Sequence, residues 1–507
     1  MRRRQVLFFT VLLLPLMALL GLVGVVISRV TGYTLPIAAG GAMMGIILGI
    51  VVFGVNWRIG LYAIMFLVLW DRWLLITERG GLNATKIAIG LTIIFMAGAI
   101  LSRELPRWWE RLVDAIPLVA LGFVLMTLWS FAWTPHPDRA IDFLTRRLNC
   151  VVLLALVMVA VTDREVLHRA VLFFVLGGIV CAALAMSELF TGKSILELRG
   201  LASEESGKNV LQEGFGGRLR IVGPSGDAPF WSLAISAPGI LLFGLLFYYR
   251  DWKKRLVMLA GVLLVALNIM ATGARGGALC FLAGCAAVML LCPIKHKASK
   301  VAVAIAAFII LLGAMLLFSD QSAAGRIADP TRATSTVDYR ISNWYMVWDM
   351  YEQRPWTGHG VNTYTMFYPW YRIPGSSGEP VRPLNSFMQA LQESGIQCVL
   401  AYTLLYVFSW FAAGCAALST SDRRLRFEAT ALIGVVFGFF LFAGTSNVLE
   451  NELYFLIFGL CGACYNVARQ EHAIWPTLGA DFMQPAYQYR LTAALEARQR
   501  AKYPVGG

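Results

Sequence analysis

PFWSLAISAPGILLFGLLFYYRDWKKRLVMLAGVLLVALNIMATGARGGALCFLAGCAAVMLLC, residues 229–292, is the stretch whose reading decides the fold. It holds three apolar blocks, placed near 229–249, 255–272 and 276–293, separated by RDWKKR and then by TGARGG. Blocks of ~18–24 residues cross about 30 Å of hydrocarbon at 1.5 Å per residue. They are rich in Leu, Gly, Ala and Phe and do not alternate strictly, so they read as helices rather than barrel strands. The first connector is densely basic and the second is glycine-rich with a single arginine, which puts them on opposite faces of a membrane.

The same pattern extends in both directions. The 507 residues are 58% hydrophobic and 14% charged, with a mean hydropathy of +0.66. A soluble domain so apolar would lack a polar surface. Further spans are placed near 5–29, 34–54, 59–77, 85–101, 115–133, 149–162, 167–190, 300–318, 386–414, 427–446 and 451–468. The sequence therefore predicts an all-α polytopic membrane protein with about 12–14 transmembrane helices. Basic connectors recur on alternate sides: Arg58, then Arg103, Arg107 and Arg111, then Arg164 and Arg169, then 250–255, 295–300 and 421–426. With MRRR inside, both termini are expected to be cytoplasmic. The first block has no clear small-residue cleavage site and reads as a retained span. The membrane domain is expected over 1–470, and 471–507 as a polar cytoplasmic tail, peripheral or partly disordered. A net charge of +13 spread through connectors argues against nucleic acid as a partner. The nine cysteines all fall in or at the ends of apolar blocks, so neither a disulfide framework nor a metal site is expected. The CxxC of Cys461 and Cys464 lies mid-span and reads as core thiols.

The outer face carries the long connectors, about 191–228 and 319–385. The second contains DYRISNWYMVWDMYEQRPW, in which Tyr339, Trp344, Trp348 and Tyr351 recur at about helical spacing. This predicts an amphipathic helix at the interface, broken by Pro355; a plain aromatic belt is the alternative. Arginine near membrane depth is costly and tends to mark a site. Arg275 lies in the TGARGG turn, whose N–H groups and following helix N-terminus suit an anion. A tight hairpin with a snorkelling arginine is the other reading. Arg220 in GRLRIVGPSGDAP and Arg340 at the start of the aromatic helix are expected on the same face. Three arginines converging there form a clamp suited to phosphate or pyrophosphate. Glu188 and the Asp71–Arg72 pair are read as structural partners of other charges.

These stretches resemble a family, the O-antigen ligase and polysaccharide polymerase superfamily of bacterial inner membranes. RLRIVGPSGDAPFWS resembles its Arg–Gly–Pro segment and TGARGG its Arg–Gly turn. YRISNWYMVW…RPWTGHGVNTY, followed by LNSFMQALQESG, resembles its Arg-xxx-Trp helix, glycine turn and downstream His-Asn segment. The resemblance implies a cofactor-free, metal-independent glycosyltransferase that uses undecaprenyl-diphosphate-linked glycan on the periplasmic face. Polymerases pass the glycan to another lipid-linked repeat, and ligases to lipid A core. By this resemblance Arg220, Arg275 and Arg340 bind the diphosphate, Trp344, Trp348 and Asn385 contact glycan, and membrane lipids and other polysaccharide export or assembly proteins are partners. One departure matters: where ligases carry His-Asn this chain has Leu384-Asn385, and leucine accepts no proton. Either the protein is not that kind of ligase or another group is the base, with His359 nearest in sequence and Glu393 second. The missing histidine favours polymerase over ligase. A lipid-linked-sugar transporter, with Asp71, Arg72 and Glu188 along its path, and a non-catalytic scaffold of envelope assembly are the competing readings.

Overall fold

The computed structural model describes residues 56–70, 84–102, 104–105, 108–191, 211–212, 218–292, 330–371 and 382–471. The spans expected at 5–29, 34–54 and 300–318, the Asp71–Arg72 pair and the tail beyond 471 lie outside the described residues.

The architecture is all-α and polytopic. Among the described residues seven helices are long and apolar enough to cross a membrane, and three further apolar helices are shorter. In chain order they begin with α1 (Arg58–Leu67), α2 (Ala84–Leu101), α3 (Ala115–Phe131), α4 (Pro137–Ala160), α5 (Arg164–Ala185) and the single turn α6 (Ser187–Thr191). There follow α7 (Ala228–Tyr248), α8 (Trp252–Thr272), α9 (Arg275–Leu291), α10 (Pro330–Gln353) and α11 (Tyr364–Tyr371). The chain closes with α12 (Ser386–Ser394), α13 (Ile396–Ser419), α14 (Arg423–Ala443) and α15 (Glu452–Glu471). The three helices of the 229–292 stretch are α7, α8 and α9. Helix starts follow the aspartates: Asp114, Asp163, Asp227, Asp251 and Asp422 each accept a first-turn N–H of the helix they precede.

Two boundaries differ from the sequence expectation, each for a local reason. Helix α4 starts at Pro137, a residue suited to the first helical turn, so the block placed at 149–162 extends well outward. The block placed at 386–414 is two helices, broken at Gly395, whose φ is +80°. In the outer connector 191–228, Leu211–Gln212 and Arg218–Leu219 form a two-residue antiparallel ladder.

Helix α15 is buried along nearly its whole length and packs against α4, α13 and α14. Around it Tyr402, Tyr406, Phe439, Tyr454 and Phe458 stack edge-on or tilted, and the Tyr402 and Tyr406 hydroxyls meet at 2.9 Å. Buried tyrosines of this kind need a partner for each hydroxyl, which the pair supplies mutually. Helices α9 and α14 approach closely through small residues: a Cβ on Gly438 would lie 2.4 Å from the Cys280 carbonyl oxygen, and Gly434 meets the Gly284 carbonyl.

The helix expected in the connector, α10, forms and ends before Pro355. It docks on α12 through Met346, Val347 and Met350, which pack with Leu391, Tyr364 and Tyr368. Its aromatics do not form one buried stripe. Trp344 and Tyr351 flank the docked face, while Tyr345 and Trp348 are exposed. The helix thus seats on protein with its methionine and valine face. Tyr339 has no described side chain.

Candidate functional site

The segment before α7 is pinned to the outer end of α8. Arg220 Nε donates to the Thr272 carbonyl at 2.7 Å, and Ile221 N to the Ala271 carbonyl at 3.3 Å. Glu188, 1% exposed, accepts from Val222 N at 2.9 Å and Gly223 N at 3.1 Å. A buried carboxylate therefore fixes the backbone that carries Arg220, and Asp227 then caps α7. Because Thr272 is the first residue of TGARGG, Arg220 is held beside the Arg275 turn.

Helix α9 starts at Arg275 behind Ala274, which contributes no side-chain cap, so the first N–H groups of α9 have no side-chain acceptor from their N-cap residue. The turn lies against the 444–451 loop, where Thr445 Oγ1 would be 3.2 Å from a Cβ at Gly276. Arg340 reaches the same loop, donating from Nη1 to the Thr445 carbonyl. Burial lowers the pKa of Arg340, and the neighbouring Arg275 charge lowers it further. Burial likewise lowers that of Arg220, partly offset by Asp227. Among the described residues no carboxylate forms an ion pair with Arg275 or Arg340. Arg275 and Arg340 are thus neighbouring, partly desolvated charges at one turn, and Arg220 is hydrogen-bonded to the first residue of that turn. One helical turn beyond Arg340, Asn343 is fully buried with neither amide atom partnered, and the buried Trp344 Nε1 also lacks an acceptor. Trp348 Nε1 is bound to Glu352 Oε1 at 2.9 Å on the exposed side.

A second cluster lies on the other side of the 444–451 loop, and the sequence reading missed it. Arg147 of α4 has no solvent exposure and binds two carboxylates, Glu393 and Glu450, the latter from Nη2 at 2.7 Å and from Nε at 3.2 Å. Gln389 Nε2 donates to Glu393 Oε1 at 3.0 Å and to Glu450 Oε1 at 3.2 Å. Arg382 Nη1 stands 3.6 Å from Glu450 Oε2, with its guanidinium over the Phe143 ring. The available signal was the Arg146–Arg147 pair on a connector assigned to the face where arginines are scarce.

Of the two expected proton acceptors, Glu393 has both oxygens engaged and His359 is held by Nε2 alone. Glu393 gives Oε2 to Arg147 and Oε1 to Gln389, with Asn362 N at 3.3 Å from Oε1. His359 is 4% exposed, and its Nε2 lies 2.8 Å from the Met350 carbonyl. A carbonyl only accepts, so Nε2 carries the proton. The ring packs against Phe367 and Tyr371, and burial lowers its pKa. Met350 is ten residues past Arg340, about 15 Å along α10 at 1.5 Å per residue. The structure therefore brings Glu393 to the 444–451 loop and holds His359 at the C-terminal end of α10, away from mid-helix Arg340. Asn385 caps α12, accepting from Phe387 N and Met388 N, while its own N–H donates to Asn447 Oδ1 at 2.9 Å. Leu384, where the resembling family has histidine, adopts φ +55°.

Arg275 at the N-terminus of α9, Arg340 on the docked helix α10 and Arg220 beside the same turn are thus set in a multi-span helical bundle. Residues 260–403 match the family model described as O-antigen ligase, which supports placing the chain in the O-antigen ligase and polysaccharide polymerase superfamily. The match runs from α8 into α13 and includes Arg275, Arg340, His359, Asn385 and Glu393; Arg147, Arg220 and Glu450 lie outside it. It supports a role in glycan assembly of the ligase or polymerase type, with lipid-linked glycan and acceptor as substrates. No curated protein matches the chain.

Proposed function

We propose that the protein polymerises lipid-diphosphate-linked glycan repeat units on the periplasmic face of the bacterial inner membrane, without a metal or other cofactor. The observation that carries this reading is the neighbouring pair Arg275 and Arg340 at the TGARGG turn, to whose first residue Arg220 is hydrogen-bonded. In this reaction an acceptor hydroxyl attacks the anomeric carbon of the donor glycan. The bond from that carbon to the diphosphate oxygen breaks, and its electron pair leaves with the lipid diphosphate. Charge on the leaving group grows as the bond lengthens, and guanidinium groups already placed and partly desolvated stabilise it without reorganising. The lipid tail lies between spans while the sugars meet Trp344 and Trp348.

Ligation to lipid A core is the second reading, and Leu384 weighs against it because a family ligase places its base at that position. Purified protein incubated with lipid-diphosphate glycan in detergent is expected to yield a ladder of lengthened glycan on lipid. Arg275→Ala with Arg340→Ala is expected to slow transfer by at least about a hundredfold, the scale of losing preorganised charge at a leaving group. Wild-type turnover in that double variant would remove the reading. Transfer of a single intact chain to lipid A core, with no ladder, would favour ligation.

A further inference from the structure

The acceptor hydroxyl must lose a proton; both oxygens of Glu393 are committed, and His359, whose Nε2–H donates to Met350 while Nδ1 keeps its lone pair, is held about 15 Å along α10 from Arg340. Across the Arg147 cluster, two oxygens are not committed. Glu450 Oε1 receives Arg147 and Gln389, but among the described residues nothing donates a hydrogen bond to Glu450 Oε2, which sees only Arg382 at 3.6 Å. Gln389 Oε1 is buried and has no donor either. A buried acceptor left without a donor costs about 1–3 kcal/mol, which applies to Gln389 Oε1; with the donor-free Glu450 Oε2 on the same cluster, the pair suits a molecule that brings two O–H groups. A sugar bearing neighbouring hydroxyls is such a molecule.

From this geometry we infer that Glu450 is the proton acceptor of the transfer reaction, with Gln389 Oε1 holding a second hydroxyl of the acceptor sugar. The inference rests on the transferase reading above. Glu450 stands where the missing group would be needed. Its loop binds Arg340 through the Thr445 carbonyl and the Asn385 N–H through Asn447, next to Leu384, while Arg382 on the other side of Leu384 pairs with Glu450 itself. The Glu450 side chain is 7% exposed against 0% for Arg147, which leaves Oε2 at the edge of the buried cluster. In the step, the acceptor oxygen bonds to the anomeric carbon, its proton passes to Oε2, and the diphosphate leaves with the bonding pair. Protonation leaves Arg147 and Arg382 facing one carboxylate fewer, so the loop gains positive charge as the neighbouring diphosphate gains negative charge. The proton is then released to solvent and the carboxylate restored.

The test compares transfer rate and donor-lipid binding in wild type, Glu450→Gln, Glu450→Asp and Leu384→His/Glu450→Gln. Glu450→Gln is expected to bind donor and to lose about 10²–10⁴ in rate, the range of a lost general base. Glu450→Asp keeps the charge beside Arg147 while withdrawing the oxygens by one methylene; it is expected to fold, bind donor and lose at least about tenfold in rate. The left-handed backbone at 384 tolerates histidine better than leucine, and Leu384→His is expected to restore transfer to the Glu450→Gln protein. A structural role for Glu450 would not produce that rescue. Wild-type rate in Glu450→Asp, or donor binding lost in step with rate and no rescue by histidine, overturns the inference. In those cases the transferase reading still stands if the wild-type protein transfers and the paired Arg275 and Arg340 variant does not.

Discussion

A guanidinium with no solvent contact is tolerable only where its charge and its donors are met on the spot, and Arg147 meets both through Glu393, Glu450 and the Thr127 hydroxyl. It thereby fastens α4, α12 and the 444–451 loop at one point, and that loop also receives Arg340. Residue-level order around α12 is completed by the glycine turn: His359 N donates to the Gln392 carbonyl at 2.8 Å and Gly360 N to the Glu393 carbonyl at 3.0 Å. His359 makes this turn sensitive to acid. Its pKa in the folded protein lies below the ordinary 6.5 because burial disfavours the charged ring. The unfolded chain therefore binds the proton first as pH falls, so the stability His359 contributes is complete above about pH 6.5 and is lost as pH drops from there toward the lower folded value. His359→Gln keeps an N–H that can reach the Met350 carbonyl but does not titrate. The thermal midpoint of this variant is expected to fall less steeply than that of wild type between pH 7 and pH 5. Parallel slopes would mean that His359 titrates alike in both states.

Among the elements, the pairing of α9 with α14 does most to place the arginine site, because Arg275 stands at the first turn of α9 and Thr445 just beyond the end of α14. The helices approach through Gly434 and Gly438, four residues apart, where backbone meets backbone. Gly438→Leu would force a side chain onto the Cys280 carbonyl and part the two helices. The expected cost is about 1–3 kcal/mol or more of overpacking, seen as a lower thermal midpoint, together with weaker donor binding as Arg275 shifts from Arg340. Gly414→Leu on α13, where an added Cβ meets nothing within 4 Å, is the control and is expected to behave as wild type. Equal behaviour of the two variants would show that the contact does not position the site. These elements were legible to different degrees. The blocks of α7, α8 and α9 could be read directly, since each is one apolar run with a charged or glycine-rich end. The division of α12 from α13 could not, because it depends on Gly395 packing against Pro355 and Trp356 and on Ile396 N donating to the Pro355 carbonyl at 3.0 Å. No local pattern records such a contact.

At the scale of the molecule, the charges divide into two sets. Near the ends of α1, α5 and α14, Arg58 pairs with Asp163 at 3.7 Å, Arg164 with Asp422 at 3.5 Å and Arg424 with Glu428 at 2.9 Å, while His168 meets Glu428 at 2.5 Å. Arg111 closes the end of α4 there, donating to the Val159 and Val161 carbonyls. The other set holds Arg220, Arg275 and Arg340 and, beyond the 444–451 loop, Arg147 with its carboxylates. In the orientation expected from the sequence, the first set follows the ordinary bias of arginine and lysine toward the cytoplasm, and the second runs against it. That contrast made the three site arginines visible in the sequence. Arg147 carried the same signal, but its two partners come from a helix end and a short connector that only the fold brings together. The orientation expected from the basic connectors can be checked directly. Gln353→Cys, exposed at the end of α10, is expected to react with a membrane-impermeant thiol reagent in cells whose inner membrane is intact. Ser421→Cys, exposed between α13 and α14, is expected to react only after that membrane is permeabilised. The native cysteines are free but buried or half-buried, so the parent protein sets the background. Labelling of Ser421→Cys in intact cells with protection of Gln353→Cys would invert the molecule. The arginine cluster would then face the cytoplasm, and periplasmic glycan transfer at this site would be untenable.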